Sequence, residues 1–251
     1  MIALTEMVAY LNAYLAVGEI PDYTEAYNGL QVEGRAQIRR IVVAVDACLA
    51  TIEQAIAFDA DLMLVHHGLF WGAKAPLTGA YYRRVEQLIK HDLALYSCHL
   101  PLDVHPEVGN NHVLARMLGL EPTGNFGEFE GAPLGVWARA DLTRTELVNR
   151  VKAVLKIDPL LIATGPERID KVGVLTGGGG AYIARAAAKG IDTLLTGEGA
   201  HHTYFDAEEL GVNVIYAGHY ATETVGIRAL GEHLARQFDV KCKFLDHPTG
   251  L

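Results

Sequence analysis

IRRIVVAVDACLATIEQAIAFDADLMLVHHG (38–68) lies over IDKVGVLTGGGGAYIARAAAKGIDTLLTGEG (169–199) without a gap, at an offset of 131 residues. Ile38 meets Ile169, Ile52 meets Ile183, Ala55 meets Ala186, Asp61 meets Asp192, Leu64 meets Leu195 and Gly68 meets Gly199. Each copy reads as an apolar strand, a turn, an Ala-rich helix and a second apolar strand. Any two strand–helix–strand units share some of this pattern, because all cover a β-branched strand with a helix. A further pair strengthens the repeat: LALYSCHLPLD (93–103) resembles NVIYAGHYATE (213–223), at an offset of 120. There Tyr96 matches Tyr216, His99 matches His219, and Asp103 matches Glu223. The expectation is an α/β fold of two intertwined, internally repeated α/β halves, residues 1–125 and 126–251, with mixed sheets flanked by helices. The joint is placed near EPTGNFGEFEGAP (121–133), which is rich in Gly, Pro and Glu. Each half is expected to carry about four or five strands.

The 251 residues are 50% hydrophobic, enough to bury one large core or two small ones. A net charge of -9 without a Lys/Arg cluster disfavours nucleic acid as a partner. Cys48, Cys98 and Cys242 are widely spaced and form no CxxC pair, so neither a disulfide framework nor a zinc knuckle is expected. In MIALTEMVAYLNAYLAV, Leu4, Met7, Val8, Leu11, Tyr14 and Leu15 fall at helical spacing, with Thr5 as a candidate cap. Glu6 and the lack of a basic leader argue against a signal segment. No apolar run reaches the ~18 residues of a spanning helix, so no membrane is expected and the cytoplasm is the expected location.

Functional groups in open α/β sheets gather beyond the carboxyl ends of strands. His66 and His67 follow LMLV, His99 follows LALYSC, and His219 follows NVIYAG. Side chains of neighbouring residues diverge on a strand, but a turn at Gly68 would let the pair converge. His66, His67 and His219 with Asp103 and Glu223 make a mixed imidazole and carboxylate donor set. Such a set suits Zn, Fe, Mn, Co or Ni. Five donors exceed the needs of one catalytic zinc and fit two divalent ions about 3.5–4 Å apart. His219 and Glu223 should share a first helical turn. His99 is assigned an outer position or proton transfer.

Other histidines carry less. His91 is read as a helix end, His112 and His233 as helical positions, His247 as tail, and His201 and His202 as a polar loop or an outer contact. Cys98 is read as a buried small hydrophobe rather than a ligand. The glycines of TGGGGAY (176–182) leave two readings open, a tight turn or an anion contact.

HHGLFW (66–71), CHLPLDVHPEVGNN (98–111), LTGEGAHH (195–202) and GHYATE (218–223), in that order, resemble the Nif-three-like family of dinuclear metal-centre proteins. The same family is labelled GTP cyclohydrolase 1 type 2 homologs. The resemblance runs from NGLQV (28–32) to the C-terminal helix. It implies two intertwined repeats, two divalent metals on His66, His67, Asp103, His219 and Glu223, and a ring-shaped homohexamer. The family label implies hydrolytic opening of the GTP imidazole ring with release of formate. A dinuclear phosphoesterase, or a metal-binding scaffold without turnover, stays open beside it.

Overall fold

The structure, a computed structural model, describes residues 1–71 and 75–251. Its residues divide into two compact units: Met1–Leu102 with Ile227–His247, and Asp103–Gly226 with Pro248–Leu251. The units are not the sequential halves 1–125 and 126–251, because Ile227–His247 belongs to the first unit and the second already begins at Asp103. Nor is the stretch 121–133 a linker. It forms most of a hairpin inside the second unit, with Glu128 opposite Pro133 and Phe129 opposite Ala132. Its Gly and Glu content serves the turn, where Glu130 and Gly131 both take positive φ.

In the first unit, β1 (Ile2–Ala3) leads into α1 (Leu4–Tyr14), followed by β2 (Gly29–Val32), β3 (Gln37–Ile38) and β4 (Arg40–Asp46). Next come α2 (Leu49–Ala57), β5 (Leu62–His67), α3 (Gly79–Lys90), β6 (Ala94–Ser97) and α4 (Leu100–Val104), which runs on into the second unit. β4, β5 and β6 are parallel, and β2 closes the far edge antiparallel to β6. The strands β4 and β5 are buried along almost their whole length, as both faces of a parallel sheet must be. Val42, Ile52, Met63, Leu88 and Leu95 form part of that core. Each such side chain contributes roughly 1.5–3 kcal/mol on burial. α1 buries Leu4, Met7 and Leu11 as its spacing predicts. Thr5 is not its cap: Ala3 occupies that position, and Thr5 lies inside the helix.

The second unit holds α5 (Asn110–Met117), β7 (Gly124–Phe129), β8 (Ala132–Thr143), α6 (Arg144–Leu155), β9 (Leu160–Ala163) and β10 (Arg168–Leu175). A 3-10 turn at Gly179–Tyr182 precedes α7 (Ile183–Ala188), β11 (Thr193–Thr196), α8 (Thr203–Leu210), β12 (Asn213–Tyr216) and α9 (His219–Phe238). α9 begins in this unit and ends in the first, where β13 (Lys241–Phe244) pairs in parallel with β4. The sheet order is β7-β8-β10-β11-β12-β9, with β10, β11 and β12 parallel and β9 antiparallel to β12. Leu147, Val151, Val172, Leu195 and Ile215 lie in its core.

The repeat is therefore a parallel triplet with one antiparallel edge strand. It extends upstream of the stretch that reveals it, since β2 and β9 are also offset by 131 residues. One contact recurs atom for atom. The Asp61 carboxylate accepts the amides of Arg39 (2.7 Å) and Arg40 (2.9 Å). Its counterpart Asp192 accepts those of Asp170 (2.8 Å) and Lys171 (3.2 Å). The match of Tyr96 to Tyr216 is different: it is one residue out of register. Val65 pairs with Ser97 and its equivalent Thr196 pairs with Tyr216, so Ser97 is the structural counterpart of that tyrosine. Gly218, not His219, then stands where His99 does. Shared residue types favoured one alignment, and hydrogen-bond register fixes the other.

Loss of the aspartate should cost more in the first copy than in the second. Asp61 is 5% exposed and also accepts Arg35 Nη1 at 2.8 Å. Asp61→Ala is expected to lower the unfolding free energy by about 2–4 kcal/mol and Asp192→Ala by about 1–2 kcal/mol, from unmade bonds to backbone N–H groups. Urea denaturation reads both. Negligible losses would contradict a structural role for the pair, and equal losses the greater weight of the first copy.

Candidate metal centre

The first unit brings three imidazoles together at the carboxyl ends of its parallel strands. His66 and His67 end β5, and His99 follows β6. Ring nitrogens of all three lie within 4.8 Å of one another. The ring centroids of His66 and His67 are 4.7 Å apart, so these neighbours in sequence do converge. Gly68 matters here for space rather than for a left-handed turn. A Cβ at Gly68 would sit 2.3 Å from Gln31 Nε2, and Gln31 Oε1 accepts the Leu69 amide at 2.7 Å.

Each ring is oriented through Nδ1. His66 is fully buried and donates from Nδ1 to the Cys98 carbonyl at 3.0 Å. His67 Nδ1 meets Asp46 Oδ1 at 2.8 Å, at the end of β4. His99 Nδ1 meets Asp22 Oδ1 at 2.8 Å. A carbonyl or carboxylate can only accept, so the proton sits on Nδ1 and the lone pair of the neutral ring on Nε2. That is the tautomer a metal-ligating imidazole needs. Cys98 contributes its backbone carbonyl, in keeping with a small buried side chain.

Asp22 is itself a hub. Its oxygens also accept Asn28 Nδ2 at 2.8 Å, the Leu100 amide at 2.9 Å and the Tyr23 amide at 2.7 Å. Burial pushes its carboxyl up. The His99 hydrogen bond and charge, with the Asn28 and Leu100 contacts, outweigh burial and hold it below the usual carboxylate range.

The second unit gathers carboxylates around one imidazole. His219 opens α9 and places Nε2 3.1 Å from Glu223 Oε1, the first-turn pairing expected from the sequence. Its Nδ1 meets Glu198 Oε1 at 2.8 Å, just beyond β11. Asp103 and Glu223 are buried, and their oxygens lie within 4.8 Å of one another. Asp103 is held by Asn110 Nδ2 at 2.7 Å, and Asn110 Oδ1 in turn accepts the Gly226 amide at 2.7 Å.

With both nitrogens facing carboxylates, His219 is pushed up to about 9. The Glu223 hydrogen bond is the largest cause, desolvation opposes it, and the Glu223 and Glu198 charges add to the rise. Metal binding at such a site would displace that proton, as imidazole ligation requires. Each donor group could hold a metal ion: in the first unit imidazoles of fixed tautomer, and in the second carboxylates close enough to share a cation.

Gly177 settles the role of the glycine run. Its φ is +66°, and a Cβ there would lie 2.2 Å from Glu223 Oε1 and 3.3 Å from His219 Nε2. A Cβ at Gly179 would lie 2.5 Å from Thr196 Oγ1, and one at Gly180 2.5 Å from the Gly199 backbone. The run is a tight turn that lets backbone approach the donors. His201 and His202 are exposed, with His201 edge-on to Phe205 at 5.8 Å. His91 caps α3, and His233 meets the Tyr10 hydroxyl at 2.6 Å.

Residues 2–249 match the family model for DUF34/NIF3 (NGG1p interacting factor 3). The chain belongs to the DUF34/NIF3 family. A family relative from Deinococcus radiodurans, named GTP cyclohydrolase 1 type 2 homolog, is 45% identical over 98% of this chain and 94% of its own. The solved structure of protein ybgI, described as of unknown function, shares 39% identity over the full length of both chains, with a TM-score of 0.94. TTHA1606 from Thermus thermophilus likewise shares 39% identity over both full chains, with a TM-score of 0.91. The mixed α/β fold is thus that of the NIF3 superfamily. Among the described residues no helix is long and apolar enough to cross a membrane.

Gly177→Ala is expected to displace the Glu223 carboxylate and weaken divalent-metal affinity at least ~10-fold. Gly178→Ala, where nothing lies within 4 Å of the added Cβ, should leave it unchanged. Competition titration with a chromogenic chelator compares them. Equal affinities would show that the approach of Gly177 is not needed for metal.

Proposed function

We propose that the protein is a dinuclear metal-dependent hydrolase of a small nucleotide-like or phosphorylated substrate, with two divalent transition-metal ions shared by His66, His67, Asp103, His219 and Glu223. The observations that support this reading are the fixed tautomer of His66 and His67 in one unit and the carboxylate-rich donor set around His219 in the other. Two such ions, when bound, lower the pKa of a water and polarise a substrate oxygen. Glu223, buried and within reach of both His219 and Asp103, is the residue suited to bridge. Asp46 and Glu198 hold their histidines in the ligating orientation. His99, fixed by Asp22, is assigned proton transfer at Nε2 during departure of the leaving group.

The name carried by the relatives supports GTP as a first substrate, with hydrolysis at C8 opening the imidazole ring and releasing formate. The family resemblance supports a toroidal homohexamer as the working assembly, which light scattering of the purified protein would measure.

Glu223→Ala is expected to lose both ions, read by elemental analysis of protein purified without chelator. Retention of two per chain would remove its bridging role. His99→Ala should keep its metal and lose roughly 10²–10⁴-fold in turnover, the span ascribed to general acid–base groups. Loss of metal from that variant would instead place His99 among the ligands. Formate release from GTP supports ring opening, phosphate release from simple esters points to a phosphoesterase, and no turnover with metal in place points to a scaffold.

A further inference from the structure

Two exposed aromatic rings stand against the same site imidazole. Trp71 is 39% exposed and lies edge-on to His99, with centroids 4.8 Å apart and planes at 79°. It also meets His67 at 6.1 Å. Tyr23 is 46% exposed and lies 5.9 Å from His99, tilted by 37°. The residues before Trp71 do otherwise: Leu69 is buried, and Phe70 packs edge-on against Tyr81 at 6.2 Å. Of these three side chains, the indole alone turns toward the histidines while staying open to water.

The segments that carry the rings are tied to one another. Ala26 bridges to Trp71, and the Tyr27 amide donates to the Phe70 carbonyl at 3.3 Å. Gln31 ties both segments, accepting the Leu69 amide and donating to the Tyr27 carbonyl at 2.8 Å. Asp22 Oδ1 accepts both the Tyr23 amide and His99 Nδ1, so one carboxylate oxygen ties the backbone that carries the ring to that imidazole. A rigid aromatic surface presented to solvent is preorganised for binding, because little side-chain entropy remains to be lost.

We propose that Trp71 and Tyr23 form the ring-binding wall of the site, on which a planar heteroaromatic ring, such as a nucleobase, stacks beside His67 and His99. Both rings of the wall adjoin imidazoles, which favours a ring with polar edges over an apolar peptide or lipid. Stacking on an aromatic face tolerates many bases, so the wall selects the class and leaves the choice within it to polar contacts. This deepens the hydrolase reading by naming which part of a nucleotide is held in the first unit. It rests on that reading only for what happens to the ring afterwards.

The chain has two tryptophans, Trp71 and Trp137, so Trp137→Phe leaves the wall as the only indole reporter. On metal-containing protein, guanosine monophosphate should quench this fluorescence saturably, and ribose 5-phosphate should not. By calorimetry, Trp71→Ala should weaken the guanosine nucleotide roughly ten-fold while Trp71→Phe keeps most of the affinity, both with unchanged metal content. Tyr23→Ala should show a smaller loss in the same direction and serves if Trp71→Ala does not fold. Equal binding of the two phosphates, no saturable quenching, or unchanged affinity in Trp71→Ala would overturn the wall. Loss of the metal reading shows separately, as ring-dependent quenching by protein that holds no metal.

Discussion

Each of the four histidines at the strand ends has its Nδ1 against an oxygen from another segment: Cys98, Asp46, Asp22 or Glu198. Tautomer, ring plane and the direction of Nε2 all follow from that contact. Without it an exposed imidazole would sample rotamers and both tautomers, and a buried one such as His66 would carry an unmade hydrogen bond. The chemistry available to the site is therefore set by residues that would not themselves touch a metal.

The parallel triplets explain why those oxygens are where they are needed. Strands β4, β5 and β6 end at Asp46, His67 and the segment leading to His99, so anchor and imidazole emerge side by side. In the second copy the same three ends lead to Gly177, Glu198 and His219. At the repeat offset His67 coincides with Glu198. One copy therefore offers an imidazole where the other offers the carboxylate that orients an imidazole. Asp61 and Asp192 clamp the opposite ends of these strands, and that end has diverged less.

Much of this was legible in the chain. A gapless repeat of buried strand, helix and strand is constrained along its whole length by packing on both sheet faces, so its pattern survives in sequence. Strand ends are similarly marked, which is why the histidines and their carboxylates stood out. Register within the shorter segment was not legible, because a tyrosine and a histidine shared by chance of position outweighed a one-residue shift that only hydrogen bonds reveal. The joint at 121–133 looked like a linker because a hairpin turn uses the same residues. Asp22, Asp46, Glu198 and Asn110 were missed for another reason. Their partners are distant in sequence, 77 residues away for Asp22 and His99, and no local spacing encodes such a pair. Asp46 and Glu198 did carry a weak signal, each being an acid at the end of an apolar strand.

The central proposal is that His66, His67, Asp103, His219 and Glu223 hold one pair of ions. An anomalous-difference map from crystals of metal-loaded protein, collected at the edge of the bound metal, tests it most directly. Two peaks about 3.5–4 Å apart are expected, with His66 and His67 among the ligands of the pair as well as His219 and Glu223. A single peak, or peaks confined to the side chains of one unit, would contradict it.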